Sequence, residues 1–195
     1  MNEYTIVRRT DWDQVPVLKM ENHLFPSNAD ITAQAQICYD ENALYIRLAA
    51  KESKIRKEYT DPLAEICEDS CLEFFLSPME GDTRYFNIEF NALGNVYLGF
   101  GANLATLHRL IPERQFISPN VTFTDDGWVL EYAIPHEFVR IFFPEYAPAS
   151  GKTIRANCFK CGNLTEVPHW LCWNPIPEAL ATFHCPEHFG LMRFA

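Results

Sequence analysis

The sequence lacks the features of a membrane-spanning or nucleic-acid-binding protein. It has no uninterrupted apolar run of about 18 residues, which a membrane-spanning helix requires. It has no block of lysine and arginine, since 16 basic residues are dispersed among 26 acidic ones and the formal net charge is −10. Such a surface repels phosphate backbones and anionic lipid headgroups. We therefore expect no nucleic-acid or membrane partner, and a neutral ligand fits better.

An apolar leader is also missing, because Glu3, Arg8 and Arg9 lie where a secretory signal would be apolar. The seven cysteines cannot all pair within one chain, so they suit free thiols in a reducing compartment. We expect a cytoplasmic protein for the sequence as written, and a secreted one if it is a processed fragment. A glycine-rich phosphate loop, a nucleophile elbow and a zinc-protease histidine pair are absent too, which leaves nucleotide chemistry unsupported.

Apolar and polar residues alternate with period 2 over much of the chain, and convincing helical periodicity is nearly absent. Residues 31–39 and 44–48 predict a first hairpin. Residues 69–76, 85–91 and 96–99 predict a three-stranded meander. The first part of the chain is therefore expected to form strands joined by turns.

The second half of the chain continues this pattern after a gap. Residues 99–118 show no sustained period and predict a long irregular connection. Residues 128–134 follow a tight Asp-Asp-Gly turn, and residues 135–138 predict one short helical turn. Residues 153–161 and 189–194 predict the last strands.

Together these patterns predict one all-β domain over residues 1–195. We expect an antiparallel β-sandwich with jelly-roll or immunoglobulin-like layers and one or two short helical turns. Ten apolar residues in phase with the strands are expected to pack between the two sheets. They are Ile37, Ile46, Leu48, Leu72, Phe74, Phe86, Ile88, Phe90, Leu130 and Tyr132.

The opposite phase of these strands carries side chains that suit a neutral polyol. Carboxylates, amides and a guanidinium together supply acceptors and donors for neighbouring hydroxyl groups. An ordinary solvated sheet face has a similar composition, and the polar row alone favours that interpretation. The row consists of Glu73, Asn87, Glu89, Asn91, Arg155 and Asn157.

Two tryptophans shift the balance towards a saccharide, because indole stacks well on the apolar face of a pyranose ring. Trp170 and Trp173 lie three residues apart between Pro168 and Pro175, so a regular strand cannot direct both into one core. We expect one in the core and one exposed, and the pattern leaves open which is which. Trp128 begins an amphipathic strand after a tight turn, which predicts core packing.

Three stretches resemble the family 9 carbohydrate-binding modules, and they occur in the same order along the chain. They are residues 67–76, 127–135 and 183–194, and the hairpin over 39–46 is similar too, so the resemblance spans most of the chain. The resemblance implies a β-sandwich that binds glucose-type sugars at chain ends, in a slot between two tryptophans, without transforming them. It also implies structural calcium, which members of the family often carry.

The resemblance places a carboxylate of the slot on a strand of the Asp-Ser-x-x-Glu type, at Glu73. The upstream tryptophan of the slot would fall six residues earlier, where this sequence has Cys67. The slot is therefore one-sided, or it is closed by Tyr59, Trp170 or Trp173. The downstream tryptophan corresponds to Trp170 or Trp173.

We therefore predict non-catalytic recognition of a mono- or oligosaccharide of glucan or xylan type, held by stacking and hydrogen bonds. No cofactor is expected apart from the structural calcium that the resemblance implies, and the metal ligands and the oligomeric state stay undetermined. The predicted carbohydrate-binding residues are Glu73, Asn87, Asn91, Arg155, Asn157, Trp170 and Trp173.

Three rival functions would use other combinations of residues. A glycosidase needs two carboxylates about 5 Å or about 6.5 to 9.5 Å apart, which Glu73 and Glu89 could approach on adjacent strands. A zinc site would need Cys158 and Cys161, in CxxC spacing, to converge with other cysteines, although a regular strand directs these two to opposite faces. A haem site would need axial ligands. The candidates for these are Met79, Met192, His108 and His184.

Overall fold

The computed structural model describes residues 1–27 and 30–195, which form a fold built mainly of β-strands. The strands are β1 (Glu3–Arg8), β2 (Leu18–Met20), β3 (Asn22–His23), β4 (Thr32–Tyr39), β5 (Ala43–Lys51), β6 (Cys71–Ser77), β7 (Tyr85–Asn91), β8 (Val96–Gly101), β9 (His108–Arg109), β10 (Asn120–Thr124), β11 (Gly127–Pro135), β12 (Thr153–Gly162), β13 (His169–Cys172) and β14 (Gly190–Phe194). The helical segments are α1 (His136–Phe142) and the 3₁₀ turns Trp12–Gln14, Ile66–Glu68, Leu104–Thr106, Glu178–Leu180 and Pro186–His188. Among the described residues, no helix has the length and apolar character needed to cross a bilayer.

The strands form two layers that are joined into one continuous hydrogen-bonded sheet. The first layer has the order β10-β11-β5-β4, with β2 also paired to β4. The second layer has the order β14-β12-β6-β7-β8-β9, with β13 paired to β12 and β3 paired to β13. β1 connects the layers, because residues 3–6 pair with β14 and residues 7–8 pair with β4.

The pairing of β1 corrects the prediction of a purely antiparallel sandwich. Its contacts with β14 and β4 are parallel, so the sheet is mixed, although the all-β class and the sandwich are confirmed. Alternation along a strand shows which face each residue occupies, but it does not show the direction of the partner strand. β1 also lies before residue 31, where the clear alternation begins.

Most of the local predictions hold. The hairpin β4–β5 and the meander β6–β7–β8 are confirmed, and the ten expected core residues are all buried between the layers, as is Trp128. The predicted helical turn extends into the seven residues of α1, whose Phe138 and Val139 are buried in that core. The connection over residues 99–118 contains β9 and a 3₁₀ turn. The short strands β2, β3 and β13 were not predicted, because two to four residues carry too little periodicity.

A buried ion pair connects the layers at one end of the sandwich. Lys160 of β12 and Glu52, which follows β5, have buried side chains, with Nζ and Oε1 3.3 Å apart. The ammonium also donates to the carbonyl oxygen of Cys161 at 2.9 Å and to Nε2 of His169 at 2.8 Å. Burial, and then the neighbouring ammonium, lowers the pKa of His169 to about 4, so its ring is a neutral acceptor. Each ammonium proton therefore has a partner, as a buried charge requires.

Glu52 is held from both layers. Its carboxylate accepts a hydrogen bond from Nε1 of Trp128 at 2.6 Å and another from Oγ of Ser70 at 2.9 Å. Trp128 belongs to β11 in the first layer, whereas Ser70 directly precedes β6 in the second layer. The carboxylate therefore ties both layers to the ammonium of Lys160.

Lys160→Met is expected to lower the free energy of unfolding by about 3 to 5 kcal/mol, because it leaves the Glu52 carboxylate buried without its counter-charge. Adding Glu52→Gln should recover part of that loss. The control is Lys51→Met, which removes an exposed ion pair with Asp126 and should cost less than about 1 kcal/mol. Urea denaturation of the three variants and the wild type measures these differences. Equal losses in Lys160→Met and Lys51→Met would contradict the assignment.

Candidate functional site

The outer face of the second layer, which points away from the first layer, carries the predicted polar row. Glu73 of β6 lies directly opposite Glu89 of β7. Asn157 of β12 and Asn87 of β7 both lie opposite Phe75. Directly opposed residues of antiparallel strands point to the same face. The strand phase deduced from the sequence therefore does place these polar side chains on one face.

Loops cover this outer face, which corrects the expectation of an accessible polar surface. Glu73 and Glu89 are only 2% and 6% exposed, and Asn87 is completely buried. The cover forms a second apolar cluster, separate from the core between the layers. Members of that cluster are Ile66, Phe75, Tyr85, Phe159, Ile176, Phe183 and Phe189. Alternation shows the phase of a strand, but it cannot show that a distant loop packs over one face.

Two of the predicted ligand amides hold the backbone. The amide nitrogen of Asn91 donates to the carbonyl of Tyr59 at 2.9 Å, and its oxygen accepts from the N–H of Asn95 at 3.0 Å. The amide nitrogen of Asn157 donates to the carbonyl of Asn174 at 3.0 Å, and its oxygen accepts from the N–H of the same residue at 2.9 Å. Both ends of each amide are therefore occupied by structural partners.

Arg155 lies on the same face but away from the carboxylates. It is opposite Ser77, four residues along β12 from the position opposite Glu73, which corresponds to about 13 Å. Its exposed guanidinium donates to the carbonyl of Phe189 at 3.3 Å and lines a separate cleft with Glu187. The structure therefore does not bring Arg155 to the carboxyl groups of Glu73 and Glu89.

The two tryptophans have different environments, and the structure shows which one is accessible. Trp173 is 5% exposed, packs edge-on against Tyr4 with ring centroids 6.4 Å apart, and lies so close to Gly190 that a Cβ there would overlap the ring. Trp170 is half-buried and directly opposite Cys161, so it points to the outer face. Trp173 is therefore a core residue, and Trp170 is the tryptophan beside the polar row.

Cys67, Asn163 and Trp170 lie together above the polar row, and we call these three residues the mouth. Nε1 of Trp170 donates to Oδ1 of Asn163 at 2.7 Å, and the amide nitrogen of Asn163 contacts Sγ of Cys67 at 3.5 Å. The backbone N–H of Asn163 donates to the carbonyl of Cys67 at 3.0 Å. Cys67 is at the position expected for the upstream tryptophan of the slot. Asn163 therefore connects this position to Trp170, the candidate for the downstream tryptophan.

Glu73, Asn87 and Glu89 lie below the mouth, and we call these three residues the floor. Nδ2 of Asn87 donates to Oε1 of Glu89 at 2.7 Å, and Sγ of Cys161 donates to Oε1 of Glu73 at 2.8 Å. Oδ1 of Asn87 is buried and has no hydrogen-bond partner in the part of the chain that the structure describes. The floor therefore has more hydrogen-bond acceptors than there are donors from the surrounding protein groups.

Burial raises the pKa values of both floor carboxyl groups. For Glu73, burial and then the charge of Glu89 raise the pKa well above its usual range. For Glu89, burial raises the pKa to about 7, while the hydrogen bond from Asn87 opposes the shift and the charge of Glu65 adds to it. Two adjacent carboxyl groups in a covered site favour protonation, because the charged form has lost its water.

Sequence reasoning missed two residues beside the floor. Tyr97 of β8 lies directly opposite Glu89, and the guanidinium of Arg109 lies over the Tyr97 ring at 4.4 Å from its centroid. Arg109 also donates to the carbonyl oxygens of Leu63 at 2.8 Å and Ala64 at 3.0 Å, which fixes part of the covering loop. The strand phase could have indicated Tyr97. Arg109 lies in the irregular connection, where no pattern indicated its position.

Among the described residues, the one cluster able to offer three metal ligands consists of Cys71, Glu73 and Cys161. Calcium takes six to eight oxygen ligands, so two thiols and one carboxylate do not fit it. The structural calcium that the resemblance implies stays a prediction. Cys158 lies in the core between the layers and Cys161 on the outer face, so these two cysteines do point apart as expected.

The residues considered for haem do not converge on a common site. Met192 is completely buried in the core between the layers, whereas His184 lies on the outer face, where its Nδ1 is 2.8 Å from the hydroxyl of Tyr85. His108 is exposed. The sequence pattern had singled out none of them, and Met192 and His184 lie on opposite faces of the second layer.

The two-layered fold places the chain among the β-sandwich proteins. The sequence profile of carbohydrate-binding family 9 matches residues 5–194. The chain belongs to this family. No curated protein sequence matches the chain.

Solved structures share the fold at low sequence identity. A crystal structure of a Bacteroides uniformis protein, described provisionally as carbohydrate-binding, is 24% identical with a TM-score of 0.85, and the match covers 99% of both chains. A family 9 module from Caldicellulosiruptor kristjanssonii in complex with cellotriose is 10% identical with a TM-score of 0.71, covering 99% of this chain and 93% of that one. A family 9 module from the same organism in complex with glucose is 11% identical with a TM-score of 0.69, covering 100% and 96%.

The two tryptophans should differ in their contribution to stability. Trp173→Ala is expected to lower the free energy of unfolding by about 3 to 5 kcal/mol, because it leaves a cavity against Tyr4 and Gly190. Trp170→Ala should cost about half as much, since part of its ring already contacts water. Urea denaturation followed by far-ultraviolet circular dichroism measures both losses. A larger loss in Trp170→Ala than in Trp173→Ala would contradict the assignment.

The raised pKa of Glu89 predicts a stability that depends on pH. Its folded pKa of about 7 lies above the ordinary value of 4.5, so its contribution is complete below pH 4.5 and is lost as the pH rises through about 7. Relative to Glu89→Gln, the wild type should lose about 3 kcal/mol of unfolding free energy over this range. The control is Glu113→Gln, at an exposed position. Urea denaturation at several pH values measures the unfolding free energy of each protein. A difference between the wild type and Glu89→Gln that does not change with pH would contradict the prediction.

Proposed function

We propose that this chain binds the end of a glucose-type saccharide between the mouth and the floor, without cleaving it. The observation that carries the proposal is the buried, unpartnered Oδ1 of Asn87 beside the carboxyl groups of Glu73 and Glu89. A buried acceptor without a donor is costly. Each hydroxyl of a sugar is a donor, and neighbouring hydroxyls on a pyranose ring would meet neighbouring acceptors on the floor.

Trp170 supplies the apolar surface in this proposal. Its half-buried indole lies beside the floor, and stacking against a pyranose face removes C–H surface from water. Cys67, on the other side of Asn163, is at the position of the upstream slot tryptophan and supplies no aromatic ring itself. The proposed site is therefore one-sided, and Trp173, Asn91, Asn157 and Arg155 act outside it.

A ligand reaches the floor when the covering loop moves. Hydrogen bonds from Arg109 hold the loop at Leu63 and Ala64. When these two bonds break, the contact between Arg109 and the ring of Tyr97 can persist. Displacing the loop costs part of the binding energy, and hydroxyl groups exchange water for protein partners with little gain. We expect dissociation constants on the order of micromolar to millimolar.

Glucose units are the favoured ligand class. The family 9 modules of Caldicellulosiruptor kristjanssonii were solved with cellotriose and with glucose, which supports a glucan over a xylan for a chain of this family. Both floor carboxyl groups project from adjacent strands on the same side of the site. A glycosidase needs its two carboxyl groups to flank the scissile bond, so this arrangement supports recognition without hydrolysis.

Calorimetric titration with glucose, cellotriose and xylotriose tests the proposal. We expect binding of the two glucose-type ligands, and an affinity loss of at least about 10-fold in Trp170→Ala, which removes the stacking surface. Glu73→Ala should weaken binding by a similar factor, because it removes the oxygen acceptors of this side chain from the floor. Trp12→Ala is the matched control, since Trp12 is also half-buried but contacts Arg47 in the first layer.

Two results would overturn this function. One is the absence of measurable binding to any saccharide of the panel by a folded wild-type protein. The other is hydrolysis of nitrophenyl glycosides that Glu73→Gln abolishes, which would make the floor a catalytic site. Unchanged affinity in Trp170→Ala, with binding otherwise present, would refute the placement of the sugar at the mouth.

A further inference from the structure

Two cysteines and a glutamate lie together next to Cys67 of the mouth. Cys71 of β6 is directly opposite Cys161 of β12, and Glu73 lies two residues after Cys71 on the same face. The two Sγ atoms and a carboxylate oxygen all lie within 4.8 Å of one another. All three side chains are buried, with exposures of 0% to 2%. The register of β6 and β12 therefore holds three potential ligand atoms around one point.

The spacing suits a small tetrahedral metal ion. Zinc bonds of roughly 2.3 Å to sulfur and roughly 2.0 to 2.2 Å to oxygen place neighbouring ligand atoms about 3.5 Å apart. The 2.8 Å separation of the Cys161 Sγ and Glu73 Oε1 atoms needs to open only slightly to reach that value. Thiolate ligands exclude magnesium and calcium in favour of zinc-class ions.

The other buried cysteine on the same strand has a different environment. Cys158 lies in the apolar core between the layers, and burial is the one cause that raises its pKa. Cys161, three residues later, contacts a carboxylate, and its Sγ is 3.6 Å from the carbonyl oxygen of Cys67. A thiol that only fills a core needs no polar partner. The polar partners of Cys161 indicate a second role for Cys161 and its neighbour Cys71.

We propose that Cys71, Glu73 and Cys161 bind a zinc-class divalent cation. Binding releases one proton from each thiol and one from the carboxyl group of Glu73, forms two metal–thiolate bonds and one metal–carboxylate bond, and involves no change of oxidation state. The half-buried Cys67 of the mouth adjoins this cluster, because its carbonyl oxygen lies 3.6 Å from Sγ of Cys161. The bound ion and a saccharide would compete for Glu73, so the metal would weaken sugar binding.

Cobalt and zinc titrations of the reduced, metal-free full chain test this proposal. Cobalt bound to thiolates gives a sulfur-to-metal charge-transfer absorption, and zinc should displace the cobalt with one equivalent per chain. Cys71→Ala and Cys161→Ala should each weaken zinc binding at least about 100-fold. Even the loss of a residue that only hydrogen-bonds a metal ligand lowers metal affinity about 10- to 100-fold, and these two variants remove a ligand itself. Cys158→Ala is the matched control, since it removes an equally buried thiol of β12 from the opposite face.

The outcomes separate this inference from the proposed function. A folded wild type without charge-transfer absorption would overturn the metal site, even if the cysteine variants failed to fold. Cobalt or zinc binding that is unchanged in both Cys71→Ala and Cys161→Ala would overturn it too. Saccharide titrations in the presence of a chelator test sugar binding on its own, so either property can fail without the other. Weaker sugar binding after zinc loading would support the shared use of Glu73.

Discussion

The register between β6 and its two neighbouring strands decides where every group of the candidate site lies. It places Glu73 opposite Glu89, and Cys71 opposite Cys161, on one face of the second layer. The pairing of β12 with β13 then brings Trp170 beside Cys161. A shift of one residue would turn all these side chains into the core between the layers. The polar floor therefore depends on the same hydrogen bonds that form the sheet.

Several buried polar groups on the strands around the floor have complete sets of partners, although the hydroxyls of Tyr132 and Tyr146 and Nδ1 of His136 are buried without one. Lys160 has three acceptors, and Glu52 has donors from both layers. Asn157 is occupied at both ends of its amide. On the floor, Asn87 retains an unpartnered acceptor and two carboxyl groups lie side by side. Buried groups normally find partners, so a ligand with hydrogen-bond donors would complete the set on the floor.

Much of the fold could be predicted from the sequence, because it rests on local patterns. The hairpin over 31–48, the meander from 69 to 99 and the ten core residues follow from period-2 alternation and turn residues. The parallel pairing of β1 could not be predicted, since a six-residue terminal strand pairs with segments far away in the chain. Arg109 was missed for a similar reason, because it lies in a connection without periodicity.

The sequence by itself determined the phase of each long strand, and hence that Glu73, Asn87 and Glu89 share a face. Only the tertiary structure decided that loops cover this face, that Asn91 and Asn157 hold backbone, and that Trp173 is buried against Gly190 while Trp170 reaches the mouth. Phase follows from the backbone geometry of one strand, which repeats every two residues. Burial depends on which distant segment packs over that strand, and no local pattern contains this information.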